Sequence, residues 1–478
     1  MIDEKRLQDL ERQVEERDRV IAKLMEKIEQ LQRENAELRA QLGKDSHNSS
    51  KPPASDGLRK RPRSQREVGI HPTGGQSGHT GHTLKAVTTP DAVVTHRPTE
   101  CQQCQYPLAD TPGQVTEERQ VHDLPPPIRV QVTAHHVEAV PCPQCGHTTR
   151  GSFPSTILPG VQYGPELRSV AVYLHQYHFL SMKRTVEALT DLYQVTVSEG
   201  TLAQWLHTAA AIVAPTVERI AELVRTRQQM GGDETGMRVA GKLGWLHVAS
   251  TRWLTHLAWH RKRGHEAMRT IGIWPNFHGR AMHDRWASYD TFACQHRLCK
   301  AHLVRDLTFL AEMHQQSWAA AMRDLLLAMH AAAREWQALG VLRIPDDERT
   351  TWLTAYFDLL RHGYATLPPT EPVPQRRGKR KQHPAKNLLD VLLQRADQVL
   401  GFVEDTSEAF TNNQREHDIR MVKIHEKVSG GFRSEAGATT FCLLRSFIAT
   451  LRKQGHRSFA AIRSIFYHTP LRVAWGLE

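Results

Sequence analysis

The chain has 478 residues, 40% of them hydrophobic and 24% charged, and 62 Lys and Arg against 51 Asp and Glu leave a net charge of +11. That length exceeds one ordinary core and predicts about three or more domains, while the basic balance, with a pI near 9.4, points to a polyanionic partner through release of condensed counterions. No apolar run is long enough to span a bilayer, the N-terminus lacks the basic-then-apolar order of a secretory signal, and the seven cysteines suit metal binding in a reducing compartment better than a disulfide framework, so a cytoplasmic protein without a membrane partner is expected.

Residues 7 to 42 follow a heptad pattern. The a positions are Leu7, Val14, Ile21, Ile28, Asn35 and Leu42, and the d positions are Leu10, Arg17, Leu24, Leu31 and Leu38. β-Branched residues at a with Leu at d favour a two-stranded parallel coil, and one Asn at a fixes register and dimer state. The expected dimerisation residues are therefore Val14, Ile21, Leu24, Ile28, Leu31, Asn35 and Leu38; Arg17 at a d position favours instead a lone amphipathic helix packed on its own chain. Residues 44 to 90, rich in Ser, Pro, Gly, Lys and Arg, bury too little apolar surface to fold alone. They read as a plain solvated linker or as a basic arm that lays Lys51, Arg59, Lys60, Arg61 and Arg63 along DNA phosphates.

Cys101-x-x-Cys104 and Cys142-x-x-Cys145 follow, with 37 residues between the pairs. Each pair makes a turn that presents two thiolates to one ion, and Ile128, Val130, Val132 and Ala134 between them alternate like a strand. Two such knuckles predict a zinc ribbon, a closed four-thiolate structural site with no open position for catalysis. Beyond Gly164 the pattern turns helical. Lys183 to Tyr193, a turn at 194–197, and Ser198 as N-cap for Thr201 to Ala211 form either a helix-turn-helix for the major groove or part of an ordinary bundle.

After a helical-looking run from Val217 to Met230 comes Gly231-Gly232-Asp233-Glu234-Thr235-Gly236, then strand-like runs from Gly244 to Ser250 and Trp253 to His260. An aspartate on a first strand with a β-meander after it is how an RNase H-like domain opens. A helix over His265 to Ile273 and a short strand over Arg280 to Met282 lead to Asp284, and Cys294, Cys299 and His302 then sit close in sequence. They read as a packed helix start or as a second metal site without an evident fourth ligand. Residues 317 to 406 are helical, with helices over Trp318 to Leu339 and Leu388 to Val403, and are interrupted by a Pro-rich loop carrying Arg376, Arg377, Lys379, Arg380 and Lys381. Glu416 lies on a helix from Asn412 to Lys427, which Gly430-Gly431 ends before an apolar helix over Ala436 to Lys453.

Breaking and joining phosphodiesters requires an activated oxygen nucleophile and a stabilised leaving oxygen, and two divalent ions about 4 Å apart supply both. Mg²⁺, or Mn²⁺ in its place, takes oxygen ligands and keeps several waters, so a few carboxylates hold a pair of ions. Asp233, Asp284 and Glu416 are candidates for that shell, with Glu234, Asp290 and Glu426 as rivals that spacing alone does not eliminate. Asn412 and Arg420 lie one turn either side of Glu416, suited to a metal-bound water and to phosphate, with Lys423 further along the same helix.

These residues resemble the DDE transposases of the insertion-sequence-sixty-six type. The marks are the zipper; Asn48-Ser49-Ser50-Lys51-Pro52-Pro53 with Ser55-Asp56-Gly57; the two Cys pairs; Asp233-Glu234-Thr235 followed by Gly244-Trp245-Leu246-His247-Val248; Cys299-Lys300-Ala301-His302; Asn412-Asn413 with Glu416 and Arg420; and Ser458-Phe459 to Pro470-Leu471. One departure is Gln414-Arg415-Glu416-His417, where family members commonly show an Ala-Glu-Arg order after the paired Asn. The resemblance implies the triad Asp233, Asp284 and Glu416, two Mg²⁺ or Mn²⁺ ions per active site, and cut-and-join chemistry at the inverted terminal repeats of a bacterial mobile element. It also implies double-stranded DNA, both element ends and target, as partner, with small accessory proteins encoded beside the element.

The expected fold is multidomain α+β: a coiled coil over 1–43, a basic flexible linker over 44–95 and a zinc-binding module over 96–155. A helical DNA-binding region over 160–228 and an RNase H-like core over 229–314 and 409–478, with an all-α insertion over 315–408, complete it. A homodimer or higher oligomer, associated with the nucleoid when bound to DNA, is expected. Two further readings keep the same fold: a catalytically silent DNA-binding regulator, and a metal-dependent nuclease that does not join strands.

Overall fold

A computed structural model describes residues 4–45, 47–49, 86–105, 107–110, 112, 114–123, 130–145, 147–154, 156–367 and 382–476. The basic residues expected along DNA at Lys51, Arg59, Lys60, Arg61 and Arg63, and those of the Pro-rich loop from Arg376 to Lys381, lie outside the described residues.

The heptad region is one helix, Glu4–Leu42. Val14, Ile21, Leu24, Ile28, Leu31 and Leu38 all stand in solvent, so the stripe is not covered by its own chain as the lone-helix alternative requires. Among the described residues the C-terminal end of the helix meets the body, where Ala40 is buried, and just beyond it His47 pairs with Glu312 at 3.4 Å. Next, strands β1 (Ala139–Pro141) and β2 (Thr148–Arg150) pair antiparallel on either side of the second cysteine turn. The strand expected through Val130, Val132 and Ala134 is absent: residues 130–138 carry no ladder and are mostly exposed, because period-2 alternation makes a strand only where a partner strand exists to pair with it.

Helix Met182–Tyr193 and helix Glu199–Thr226 are joined by a short turn, with Gln194 in the left-handed region and Ser198 accepting from the Thr201 N–H. The second helix does not stop at Ala211 but runs 28 residues through Pro215, and it buries ten side chains from Leu202 to Val224. The predicted helix through Met230 is corrected at its end. Arg227 is extended, the Arg280 N–H donates to the Gln228 carbonyl at 2.8 Å, and Met230 already pairs with Ala281 in a sheet.

That sheet has five strands: β3 (Gln229–Val239), β4 (Lys242–Ser250), β5 (Thr255–His260), β6 (Arg280–His283) and β7 (Gln295–Leu298), in the order β5-β4-β3-β6-β7. The first three form an antiparallel meander, whereas β6 and β7 run parallel to β3. Because side chains alternate across a strand, β3 sends Met230 into a core with helix Glu199–Thr226 and helices Glu435–Lys453 and Ser458–Phe466. On its other face Met237 and Val239 pack with Ile419 and Val422 of helix Asn413–Ser429.

The helices between Lys300 and Glu404 enclose a separate core around Trp318, Met322, Tyr356 and Leu389. The single helix expected from Leu388 to Val403 is three pieces, Pro384–Gln394, Ala396–Val399 and Gly401–Glu404. Arg395 and Leu400 leave helical geometry at the joints, and at the second joint the Gly401 backbone approaches Arg297 so closely that a Cβ would lie 2.3 Å from its Nε. A buried ion pair ties this region to the sheet: Glu408 accepts from Lys300 at 2.9 Å and from Arg297, on β7, at 2.6 Å.

Candidate active site

Two of the three predicted acids are brought side by side by strand register. Gly231 pairs with Met282 across the parallel β3–β6 ladder, so two residues further on Asp233 comes level with Asp284, just past the end of β6, and equal spacing puts both side chains on the same face. Helix Asn413–Ser429 crosses that face and brings Glu416 in its first turn. Glycine makes this possible at Gly231, where a Cβ would lie 2.4 Å from Arg415 Nε and 2.6 Å from Asn412 Oδ1. The Asn412 side-chain amide donates to the Gly232 carbonyl at 2.9 Å, and Arg415 donates to the Ser250 carbonyl. The Asn412 amide nitrogen thus fastens the helix to β3, while its Oδ1 is buried without a hydrogen-bond partner over the Gly231 face of the strand.

Ligand atoms of Asp233, Asp284 and Glu416 do not all lie within 4.8 Å of one another, but the acids are near enough for their charges to be felt at Asp233. Burial, then the adjacent charge of Glu234, and further the charges of Glu416 and Asp284 push the Asp233 carboxyl up to about 7, against the hydrogen bond it accepts from the Glu234 N–H. Asp284 accepts from the Trp286 N–H at 2.9 Å. Glu416 Oε1 is buried without a hydrogen-bond partner.

The rival acids are each engaged elsewhere. Glu234, on the opposite face of β3, is buried and accepts from Arg263 at 2.8 and 3.0 Å and from the Tyr289 hydroxyl. Asp290 pairs with Arg395 at 2.7 Å, and Glu426 accepts from the Arg238 N–H at 2.7 Å and pairs with Lys423 at 3.1 Å. Lys423, expected on phosphate, also donates to the Gly236 carbonyl; Arg420 is exposed. Asp418 is buried and neutralised by Lys453 at 2.8 Å.

The second cysteine group turns out to belong with Glu416. Cys299, His302 and Glu416 converge, with one ligand atom from each within 4.8 Å of the others. No further ligand is evident in the sequence beside Cys294, Cys299 and His302 because Glu416 is distant along the chain; the Cys-x-x-His spacing is the available signal. His283, Asp290 and His296 form another such group, in which the two imidazoles already hydrogen-bond each other at 2.8 Å.

A family model described as the transposase IS66 family matches residues 160–440. The chain belongs to that family. The match spans the helices before the sheet, the whole sheet, the separate helical core and the Glu416 helix, and membership in a transposase family makes the protein a DNA-processing enzyme with DNA as its partner. A second model, for a family of unknown function (DUF6444), matches residues 4–85 of the transposase. No curated protein matches the chain. Among the described residues of this transposase no helix is long and apolar enough to cross a membrane.

Outside the carboxylates, the two Cys-x-x-Cys pairs of the transposase share one local geometry. The Cys101 thiol is lowered by N–H groups of Cys104 and Gln103, and the Cys142 thiol by those of Cys145 and Gln144. Each pair closes a hairpin tip, the first beside the Glu100–Pro107 bridge and the second between β1 and β2. The four sulfurs are not among the groups that converge within 4.8 Å.

Proposed function

We propose that this protein is a DDE-type transposase, which cleaves strands at the ends of an insertion sequence in a divalent-metal-dependent reaction and transfers the resulting 3′-hydroxyl into target DNA. The carrying observation is the strand register that levels Asp233 with Asp284 while the Glu416 helix crosses the same face, near enough that Glu416 and Asp284 add to the effect of burial and of Glu234 in raising Asp233. The strand order, an antiparallel meander followed by two parallel strands, supports an RNase H-like core, and the separate helical core supports an insertion between Asp284 and Glu416.

The donor set suits hard divalent cations. A carboxyl raised by burial and then by neighbouring acids, near a Glu416 oxygen that is buried without a partner, is relieved by positive charge, and oxygen-only ligands favour Mg²⁺ or Mn²⁺. Asp233, Asp284 and Glu416 would hold two such ions, which when bound supply an activated oxygen nucleophile and stabilisation of the leaving oxygen. The chain's own part is placement. Strand register levels the two aspartates, Gly231 admits the helix, and the Asn412 amide fixes its first turn.

The remaining assignments rest on the same reading. The exposed stripe of Glu4–Leu42 would pair with a second copy through Val14, Ile21, Leu24, Ile28, Leu31, Asn35 and Leu38, making the active species a dimer or larger. Cys101, Cys104, Cys142 and Cys145 would hold a structural Zn²⁺ if the two hairpin tips, whose sulfurs stand apart here, close around it; N–H groups aimed at the first sulfur of each pair stabilise thiolate ligands. The basic segments at 51–63 and 376–381, with Arg420, would contact phosphate.

The test is cleavage and strand transfer on labelled element-end DNA with Mg²⁺, comparing wild type with Glu416→Gln. Binding should survive while both chemical steps fall by at least about a hundredfold, as loss of a metal-binding charge at a phosphoryl-transfer site implies. Equal activity would mean that Glu416 is not a member of the site, and DNA binding without cleavage by the wild type would favour a silent regulator.

A further inference from the structure

We propose that Cys299, His302 and Glu416 form a second cation site, selective for a soft divalent ion of the zinc class, whose occupation draws Glu416 away from Asp233 and Asp284 and so inhibits strand cleavage. The proposal rests on the reading of Glu416 as a ligand of the catalytic ions.

Three observations carry it. The sulfur, imidazole and carboxylate atoms lie within 4.8 Å of one another, with His302 Nε2 3.8 Å from Glu416 Oε1. Ligands of a tetrahedral zinc ion at about 2.0–2.3 Å subtend separations of that order. Next, the site holds buried donors with unused capacity: His302 Nδ1 and Glu416 Oε1 both lack a hydrogen-bond partner, which is costly for buried polar atoms unless a ligand uses them. Finally, the sulfur is already supported as a ligand would be. Cys299 is fully buried at the N-terminus of helix Lys300–Met313 and accepts the Asn412 N–H at 3.2 Å, an outer contact of the kind that orients thiolate ligands.

Ligand chemistry separates the two sites. Thiolate and imidazole select zinc-class ions, whereas Asp233 and Asp284 offer only oxygen and suit Mg²⁺. Glu416 belongs to both sets. It reaches Cys299 and His302 on one side, and on the other its charge is felt by Asp233. Three protein ligands leave a fourth position for water, so the zinc-class site is complete without a further residue.

Co²⁺ is the probe, because its thiolate-to-metal absorption reports sulfur ligation directly. Full-length wild type, Cys299→Ser, His302→Ala, Glu416→Gln and a Cys101→Ser/Cys142→Ser double variant are titrated and the Co²⁺ equivalents per chain counted. Cys299→Ser is expected to lose one thiolate-ligated equivalent that the Cys101/Cys142 variant retains, and His302→Ala and Glu416→Gln to weaken that equivalent by about tenfold or more. In parallel, Zn²⁺ inhibition of Mg²⁺-dependent cleavage, taken as a ratio within each protein, should weaken about tenfold in Cys299→Ser. Equal thiolate-ligated equivalents in wild type and Cys299→Ser would overturn the proposal, as would a Glu416→Gln variant that holds Co²⁺ as tightly as wild type. The cobalt count needs no chemistry on DNA, so it stands apart from any failure of the transposase reading, which the cleavage assay with Glu416→Gln reads.

Discussion

At the scale of single residues, Asp233 is an acid held in surroundings that oppose its charge. Burial, helped by Glu234, Glu416 and Asp284, raises its carboxyl from 3.8 to about 7, so between those values the folded chain keeps a proton that the unfolded chain has released. Folding stability from this group is therefore present below about pH 4 and declines as the pH rises towards 7. In metal-free protein the melting temperature should fall across that interval by an amount that Asp233→Asn removes, and Mg²⁺ should restore stability at pH 8 in the wild type only. Thermal melts with and without Mg²⁺ check this; the same slope in Asp233→Asn would assign it to another group. The neighbouring Glu234 shows why carboxylates adjacent in sequence do different work: alternation turns it to the other face, where Arg263 and Tyr289 bind it. Sequence alone left Glu234, Asp290 and Glu426 as rivals because the groups that engage them, Arg263, Arg395 and the Arg238 N–H, lie far along the chain.

At the scale of elements, the site depends on how closely helix Asn413–Ser429 approaches β3. Gly231→Ala would place a methyl against Arg415 and Asn412, and overpacking of this kind costs about 1–3 kcal/mol. Because those two residues fix the first turn, the variant should lose cleavage by more than its stability loss explains, with DNA binding retained; denaturant melts beside cleavage assays separate the effects. Much of this level was legible. The meander after Asp233, the short strand before Asp284 and the helix carrying Glu416 were all readable from period and glycine breaks. Less legible were features decided by distant partners. Alternation at Val130 and Val132 met no strand to pair with, the apolar run from Leu388 to Val403 was broken where Gly401 meets Arg297, and Met230 was drawn out of a helix by Ala281. Asn412, read as a residue facing the site, has in addition a fastening role invisible in the sequence, its amide nitrogen donating to the Gly232 carbonyl.

On the scale of the whole molecule, the chain presents an apolar stripe along Glu4–Leu42 that its own body leaves in solvent. Leu24→Asp with Leu31→Asp would put two charges into the seam of a dimer, each costing several kcal/mol if buried unpaired. Sedimentation should show a dimer or larger assembly for wild type and a monomer for the double variant, and an unchanged assembly would place the interface elsewhere. Just beyond that helix His47 pairs with Glu312 on helix Lys300–Met313, whose N-cap is Cys299 and whose first turn carries His302, so the exposed apolar helix and the Glu416 neighbourhood meet on one element. That connection was invisible in the sequence, where the two segments are far apart.

The claim that Asp233, Asp284 and Glu416 together hold the ions of a phosphoryl-transfer site is tested most directly by changing the metal preference of one ligand. Asp233→Cys replaces a hard oxygen with a soft sulfur, which binds Mg²⁺ poorly and Mn²⁺ better. Cleavage of element-end DNA by this variant should be lost in Mg²⁺ and recovered at least in part in Mn²⁺, while wild type works in both. Full activity of Asp233→Cys in Mg²⁺ would contradict the account, because a carboxylate that sulfur replaces without consequence is not a ligand of the catalytic ion.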